Sequence, residues 1–432
     1  MSRVLACSFA LSGCIFLGLG EAAHGQTGPA TQLPAIPAAS VDLDQATALA
    51  LAYNPALQAA STTVPQSQAE EVTAAIHPNP VLTWDGLFLP LNPSNWNHNI
   101  LNQISEFDVG VAYTFERGNK RQHRIQAARD VTAVTRSQLA DAQRSLIFNV
   151  AQQFVGVLLA ESNLDFARQD LAGFQQTVAI GQAQFKAGQI SEGDYLKIKL
   201  QLLQFQTDVS SAQVALVQAR AALRNAVGYR ALAPDVRVVG SLAFTPLHGN
   251  EDDYRALALK NRPDLIAARQ GVVAAQSQYS LARANGKRDL TSSLTVSHVG
   301  GLTGAGLAFN MEIPIFDRNQ GEIARTRFGM VQAQDLSTAA ENQVLTDVTT
   351  AYQAAKTGEQ VVSLYQSGYL QQARQSRDIS AYAYHRGAAS LLDFLDAERS
   401  YRATELTYRQ SLAAYMLALQ QLKEAAGAKK LL

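Results

Sequence analysis

Phe185-Lys-Ala-Gly188-Gln-Ile-Ser191-Glu-Gly-Asp194-Tyr-Leu196 and Tyr384-His-Arg-Gly387-Ala-Ala-Ser390-Leu-Leu-Asp393-Phe-Leu395 carry one pattern twice, 199 residues apart. In each an aromatic residue precedes a glycine, then a serine, an aspartate and a leucine at fixed steps. Gly228 and Gly427 recur at the same offset. A second pair, Ala48-Leu-Ala-Leu-Ala-Tyr-Asn-Pro55-Ala-Leu57 and Ala256-Leu-Ala-Leu-Lys-Asn-Arg-Pro263-Asp-Leu265, shares six residues in ten at an offset of 208. Such self-similarity marks a duplicated architecture. The repeats are expected at 43–240 and 241–428, after a signal peptide at 1–25 and an N-terminal linker at 26–42.

Outward from these turns, the chain divides by proline. None occurs at 94–233 or after Pro314, and those tracts are rich in Ala, Gln, Leu and Arg, which favour helix. Long helices are expected at 119–186 and 319–386, each roughly 100 Å at 1.5 Å per residue. Shorter ones return at 191–227 and 390–426, with Gly188 and Gly387 suited to the left-handed caps between them. The first returning helix has a heptad seam, Val209, Ala212, Leu216, Ala219, Leu223 and Ala226. Helical stretches at 43–76 and 251–286 open the repeats, the first broken or kinked at Pro55 and Pro65.

Elsewhere the period is two. Phe107, Val109, Val111, Tyr113 and Phe115 alternate with Asp108, Gly110, Ala112 and Thr114. Strands follow at 105–116 and 304–313, each paired with a weaker one, at 81–89 and 290–299. One apolar and one small or polar face suit either a half-buried hairpin of a soluble sandwich or a transmembrane barrel. For a barrel, four strands cannot close, so several chains would pool them.

Composition narrows the class. With 36 basic and 36 acidic residues the net charge is zero, giving no electrostatic case for nucleic acid. Residues 1–3 form a basic start, 4–20 an apolar run, and Ala23-His24-Gly25 a cleavage pattern, which read as an export signal. Leu11-Ser-Gly-Cys14 also has the form of a lipobox that would acylate Cys14, although the apolar run continues past it. Cys7 and Cys14 are the only cysteines, so the body of the chain has no thiol site. The seven histidines are scattered, with no metal-binding pair, phosphate loop or nucleophile motif. Neither catalysis nor a cofactor is expected.

Ala48-Leu49 with Asn54-Pro55, Arg262-Pro263-Asp264-Leu265, Pro314-Ile-Phe316 and the two Gly-x-x-Ser turns resemble the TolC-type outer membrane efflux family across 41–428. Glu116-Arg-Gly118-Asn-Lys120-Arg121 and Pro314-Ile-Phe-Asp-Arg-Asn-Gln-Gly321 resemble its CzcC-like, cation-exporting branch. The resemblance implies a mainly α fold with a small β part, duplicated long antiparallel helical hairpins plus two β-hairpins. In a homotrimer these make an α-barrel in the periplasm topped by a 12-stranded transmembrane β-barrel in the outer membrane of a Gram-negative bacterium. A periplasmic adaptor and an inner-membrane RND-type pump are the implied partners, with heavy-metal cations as cargo. Drugs, small organic molecules or a secreted protein are the alternative cargo, and a periplasmic coiled-coil adaptor or structural protein the alternative class.

By motif, Asp393 and Asp396 match the carboxylates that ring the family's closed entrance, and Asp194 and Tyr384 match positions that lock the tips. Ala389 stands where some relatives carry arginine, which leaves Arg386 or Lys186 to complete the ion pairing. The tips, with Gly188, Gly387, Ser191 and Ser390, would meet the adaptor. Gly118, Lys120, Arg121, Pro314 and Gly321 would form the strand–helix junctions, where the two glycines let the chain turn and the basic residues face the membrane's periplasmic side.

Overall fold

The computed structural model describes residues 37–428 apart from Pro93, Asn95, Asn97, His98 and Gln103. The expected signal peptide, its lipobox alternative and most of the linker lie outside the described residues. The first run of elements is β1 (Ala38–Val41), α1 (Leu43–Tyr53), α2 (Pro55–Ser61), α3 (Thr63–Ala75), β2 (Val81–Leu87), β3 (Glu106–Phe115), α4 (Lys120–Lys186), α5 (Glu192–Val227) and β4 (Leu232–Val238). The second is α6 (Glu251–Asn261), α7 (Pro263–Asn285), β5 (Leu290–Val299), β6 (Leu302–Asn310), α8 (Gln320–Leu364), a π-turn (Tyr365–Tyr369), α9 (Leu370–His385) and α10 (Leu391–Ala425).

Both opening stretches break at the residue before a proline, where the helical region is disfavoured. Asn54 ends α1 and its side chain caps α2 by accepting from Leu57 N–H, with Pro55 in the first turn. Arg262 holds the equivalent corner between α6 and α7. The break expected at Pro65 falls instead at Thr62, because Pro65 sits in the first turn of α3, where its missing N–H removes no helical bond. Both corners close on the returning helices: Asn54 donates to the carbonyl of Ala226 at 2.8 Å, and Arg262 to that of Ala425 at 3.5 Å. Gly228 admits the approach of Tyr53 O, since a Cβ there would lie 2.7 Å from it.

Helix α4, at 67 residues, is flanked in two halves. Its upper half meets α3 through Ser67–Thr135 (3.1 Å) and α7 through Ser137–Gln270 (2.7 Å). Its lower half meets α5 through Arg220–Glu161 (2.9 Å) and α10 through Arg409–Ser162 (2.7 Å). Two shorter helices thus stack end to end along one long helix. An 18-residue stretch of α4 has a mean hydropathy of 1.2. The core that Val150, Phe154, Val157 and Leu158 build with Leu216, Leu223 and Ala226 of the α5 seam accounts for such apolarity. The second long helix is interrupted by the π-turn, where Gly368 adopts φ 133°.

Two small sheets complete the fold. β1 pairs in parallel with β4 over the first core, so four residues of the stretch expected as linker are a strand. The second sheet has antiparallel order β2-β3-β5-β6. Its register aligns Trp84 with Val109 and Val296, and Leu82 with Val111, Leu294 and Leu307, on one face. On the other, Gly110 lies between Thr83 and Thr295. Two expected boundaries shift. β2 stops at Leu87 because Phe88 turns to φ 55°. β6 spans 302–310 rather than 304–313, because Gly300 and Gly301, at φ 57° and 79°, make a two-residue hairpin turn that starts it early.

Candidate functional site

The two tips have the same construction. At the end of α4, Gln189 N–H reaches Gln184 O at 2.8 Å and Gly188 N–H reaches Phe185 O at 3.0 Å. At the end of α9, Ala388 N–H reaches Ala383 O at 2.8 Å and Gly387 N–H reaches Tyr384 O at 3.0 Å. These are Schellman closures, with Gly188 and Gly387 at φ 71° and 74°. Ser191 and Ser390 then cap α5 and α10, each accepting from the N–H of the aspartate three residues on at 3.1 Å. The hydroxyls also donate to those carboxylates, at 2.9 Å to Asp194 and 2.7 Å to Asp393. Ser390→Ala is therefore expected to lower stability by about 1 kcal/mol through the lost cap, read as an earlier thermal transition by circular dichroism.

The sequence-expected gate residues take unequal places. Asp393 is held in a capping box with Ser390. Asp396, one turn on, is exposed and 4.0 Å from the equally exposed Arg399. Asp194 is held below the usual carboxylate range by the Ser191 hydroxyl and then by Lys197, 3.2 Å away. Tyr384 is buried, with its ring stacked on Phe394 at 5.4 Å. Its hydroxyl has no hydrogen-bond partner among the described residues, and burial, then the charge of Asp194, raises its pKa. Tyr384 and Asp194 thus sense each other without a hydrogen bond. Arg386 lies over the Tyr382 ring, 5.5 Å from its centroid.

The strand–helix junctions are tied inward. Lys120 pairs with Asp289 at 2.8 Å, and Arg121 donates to Ala75 O at 2.5 Å. Arg124 donates to Ala74 O and Ile76 O at 2.9 and 3.0 Å and pairs with Glu116 at 2.7 Å. Arg121 and Arg124 thus close the C-terminal end of α3, where free carbonyls face outward. Gly118 turns the chain at φ 76°, and a Cβ there would meet Lys287 at 2.5 Å. Gly321 does not: it lies in the first turn of α8 with room for a side chain, and Asn319, at φ 61°, makes that turn. Arg318 Nε donates to Pro314 O at 3.1 Å just before it.

One cluster escaped the reading of the sequence. Arg402 of α10 donates to Asp170 of α4 at 2.8 Å and also to Asp208 of α5. Glu398, one turn earlier, is buried, and burial followed by the charge of Asp170 pushes its pKa up to about 7. The only trace in the sequence is a Glu-x-x-x-Arg spacing, which equally describes a solvated helix pair.

The sequence matches the family described as "Outer membrane efflux protein" over residues 46–229 and 255–428. It is 23% identical over 391 residues to the cobalt-zinc-cadmium resistance protein CzcC of Cupriavidus metallidurans, covering 89% of this chain and 90% of that one. It is 24% identical over 374 residues to the cation efflux system protein CusC of Escherichia coli, covering 83% and 80%. The fold superposes on a crystal structure of CusC with a TM-score of 0.76 at 22% identity, covering 92% of this chain and 98% of that one. The duplicated match, reached by two halves that share their corners and tips, identifies this chain as a member of the outer membrane efflux protein family.

Proposed function

We propose that three copies of this chain form the outer-membrane channel of a tripartite efflux system, discharging heavy-metal cations handed on by an inner-membrane RND-type pump and a periplasmic adaptor. The observation that carries the trimer is the four-stranded sheet, which has one apolar face and free edges at β2 and β6. Unpaired strand edges have no partner in lipid, so the sheet must close with others. Three sets of four give 12 strands, within the range of outer-membrane barrels. The names of the two relatives, a cobalt-zinc-cadmium resistance protein and a cation efflux protein, favour cations as cargo.

In this reading the tips, one long helix away from the sheet, face the inner membrane. Gly188, Gly387, Ser191 and Ser390 meet the adaptor there. Asp194 and Tyr384 steady the closed entrance. Asp393 and Asp396 give it negative charge, and because Asp393 also caps α10, Asp396 is the cleaner one to change. Such a ring attracts cations without binding them tightly, as passage requires.

The purified chain, inserted into planar lipid bilayers, is expected to give discrete cation-selective conductance, and cross-linking in native membranes to give trimers. Asp396→Asn should keep the conductance while reducing the cation-over-anion permeability ratio. Monomers without conductance would overturn the channel, and an unchanged permeability ratio would remove Asp396 from the entrance.

A further inference from the structure

A forked ion pair joins the two helical hairpins above the tips. The Arg402 guanidinium reaches from α10 in the second hairpin to both helices of the first: Nε to Asp170 of α4 at 2.8 Å and Nη2 to Asp208 of α5. Its other side lies against the Phe205 ring, 4.2 Å from the centroid. Asp170 is 8% exposed, so the contact is shielded from solvent and from salt.

Glu398 stands one turn before Arg402, 9% exposed, with no hydrogen bond and no ion pair among the described residues. The charged groups around it are Asp170 from α4, Asp208 from α5 across the groove, Arg377 and Asp378 from α9, and Arg402 on its own helix. Both cations are committed elsewhere. Arg377 pairs with Asp378 at 2.6 Å and lies over Tyr401, while Arg402 holds Asp170 and Asp208. Glu405, the next carboxylate on α10, already has Arg409 and Arg374 at 3.4 and 3.5 Å. A buried carboxyl in such company is stable as the neutral acid.

A second feature gives this cluster leverage. At the π-turn, Gly368 leaves helical geometry at φ 133°, interrupting the regular helix between α8 and α9. Within it, Tyr365 packs on Tyr408 and Gln366 donates to the Tyr408 hydroxyl at 3.1 Å. Below it, α9 and the first part of α10 form a unit that Arg402 fastens to α4 and α5.

We propose that Glu398 is a gating residue of the channel: as the neutral acid it leaves Arg402 to clamp the hairpins, and as the carboxylate it repels Asp170, competes for Arg402 and loosens the clamp. The i, i+4 spacing lets Arg402 swing from Asp170 to Glu398 along one helix face. The proton leaves through the groove beside α10, which Glu398 shares with Gln201, Gln204 and Asp208. The sign follows: acid keeps the lower hairpins fastened and alkali frees them, with the π-turn as the joint.

The inference rests on the channel reading, so its test has one arm that needs no conduction. Hydrogen–deuterium exchange of the full chain in detergent is compared on both sides of neutrality, after correction for the intrinsic pH dependence. Protection along 394–405 is expected to fall at the higher pH in the native chain and to stay constant in Glu398→Gln, a variant of the same shape. In planar bilayers, open probability is expected to rise about fivefold between pH 6 and pH 8, within the tenfold limit set by one pKa unit of difference between states. Glu398→Gln should remain at the low value throughout, and Arg402→Gln at the high one. Protection that changes equally in the native chain and in Glu398→Gln overturns the proposal. Absence of conductance from the native chain with pH-dependent protection intact would instead overturn the channel reading.

Discussion

Leu294→Arg is expected to abolish the assembled, heat-resistant oligomer in outer-membrane extracts, while Ser293→Arg, the adjacent residue on β5, leaves it intact. Leu294 lies at the centre of a ten-residue strand, 57% exposed, between Val111 and Leu307 on the apolar face. Ser293 points the other way, between Ala112 and Ala308. A charged side chain on the lipid face at the bilayer midplane costs about 2–4 kcal/mol, and the proposed trimer would bear that cost three times over. On the inner face of the proposed barrel the same arginine would meet water and small neighbours, so its effect should be confined to conductance. Unheated gel electrophoresis of extracted membranes reads the oligomer directly. Equal loss in both variants, or in neither, would mean that the two faces of the sheet do not see different solvents. That result would return the hairpins to a soluble sandwich.

What is legible in the sequence is whatever repeats or alternates. The tips were legible because Gly188 and Gly387 recur with their capping serines, and those residue types have few other uses at that spacing. The β3 alternation was legible because a period of two over ten residues leaves no helical alternative. Pairings between distant segments were not. β1 is four residues long and becomes a strand only by meeting β4, nearly two hundred positions away, a contact without local signal. The residue type of Gly321 suggests a turn, yet Asn319 supplies the left-handed conformation, as Asn119 does at the other junction. Asparagine tolerates that region, so two residue types competed for one role. Asp393 shows the same ambiguity at a functional position. The sequence offers it both for a gate motif and for a helix cap, and the structure engages it in the cap. The Arg402 cluster was opaque for a different reason: whether a charged residue on a long helix faces solvent or a second hairpin depends on how hairpins pack.

The corner at Arg262 carries the second large effect. Its guanidinium is 3% exposed and forks onto Asp264 at 2.6 and 3.0 Å, with Asp347 at 2.8 Å on another helix. Through Ala425 it also reaches the end of α10. One side chain thus joins α7, α8 and α10 where the second repeat begins and ends. Arg262→Ala removes the partner of two half-buried carboxylates, a change expected to cost about 3 kcal/mol or more. Arg262→Lys keeps the charge but not the fork, and should recover only part of the loss. The charge component can be separated from packing by pH. Burial pulls the Asp264 pKa up, but the Arg262 hydrogen bonds and charge outweigh it and hold the pKa below its ordinary value. A carboxylate with a lowered folded pKa adds stability above its unfolded pKa and loses it as pH falls through the folded one. The deficit of Arg262→Ala should therefore be full at neutrality and shrink below about pH 4, read from thermal unfolding midpoints of the two proteins in the same detergent. A deficit of equal size at both pH values would assign the effect to the buried bulk of the side chain rather than to its charge.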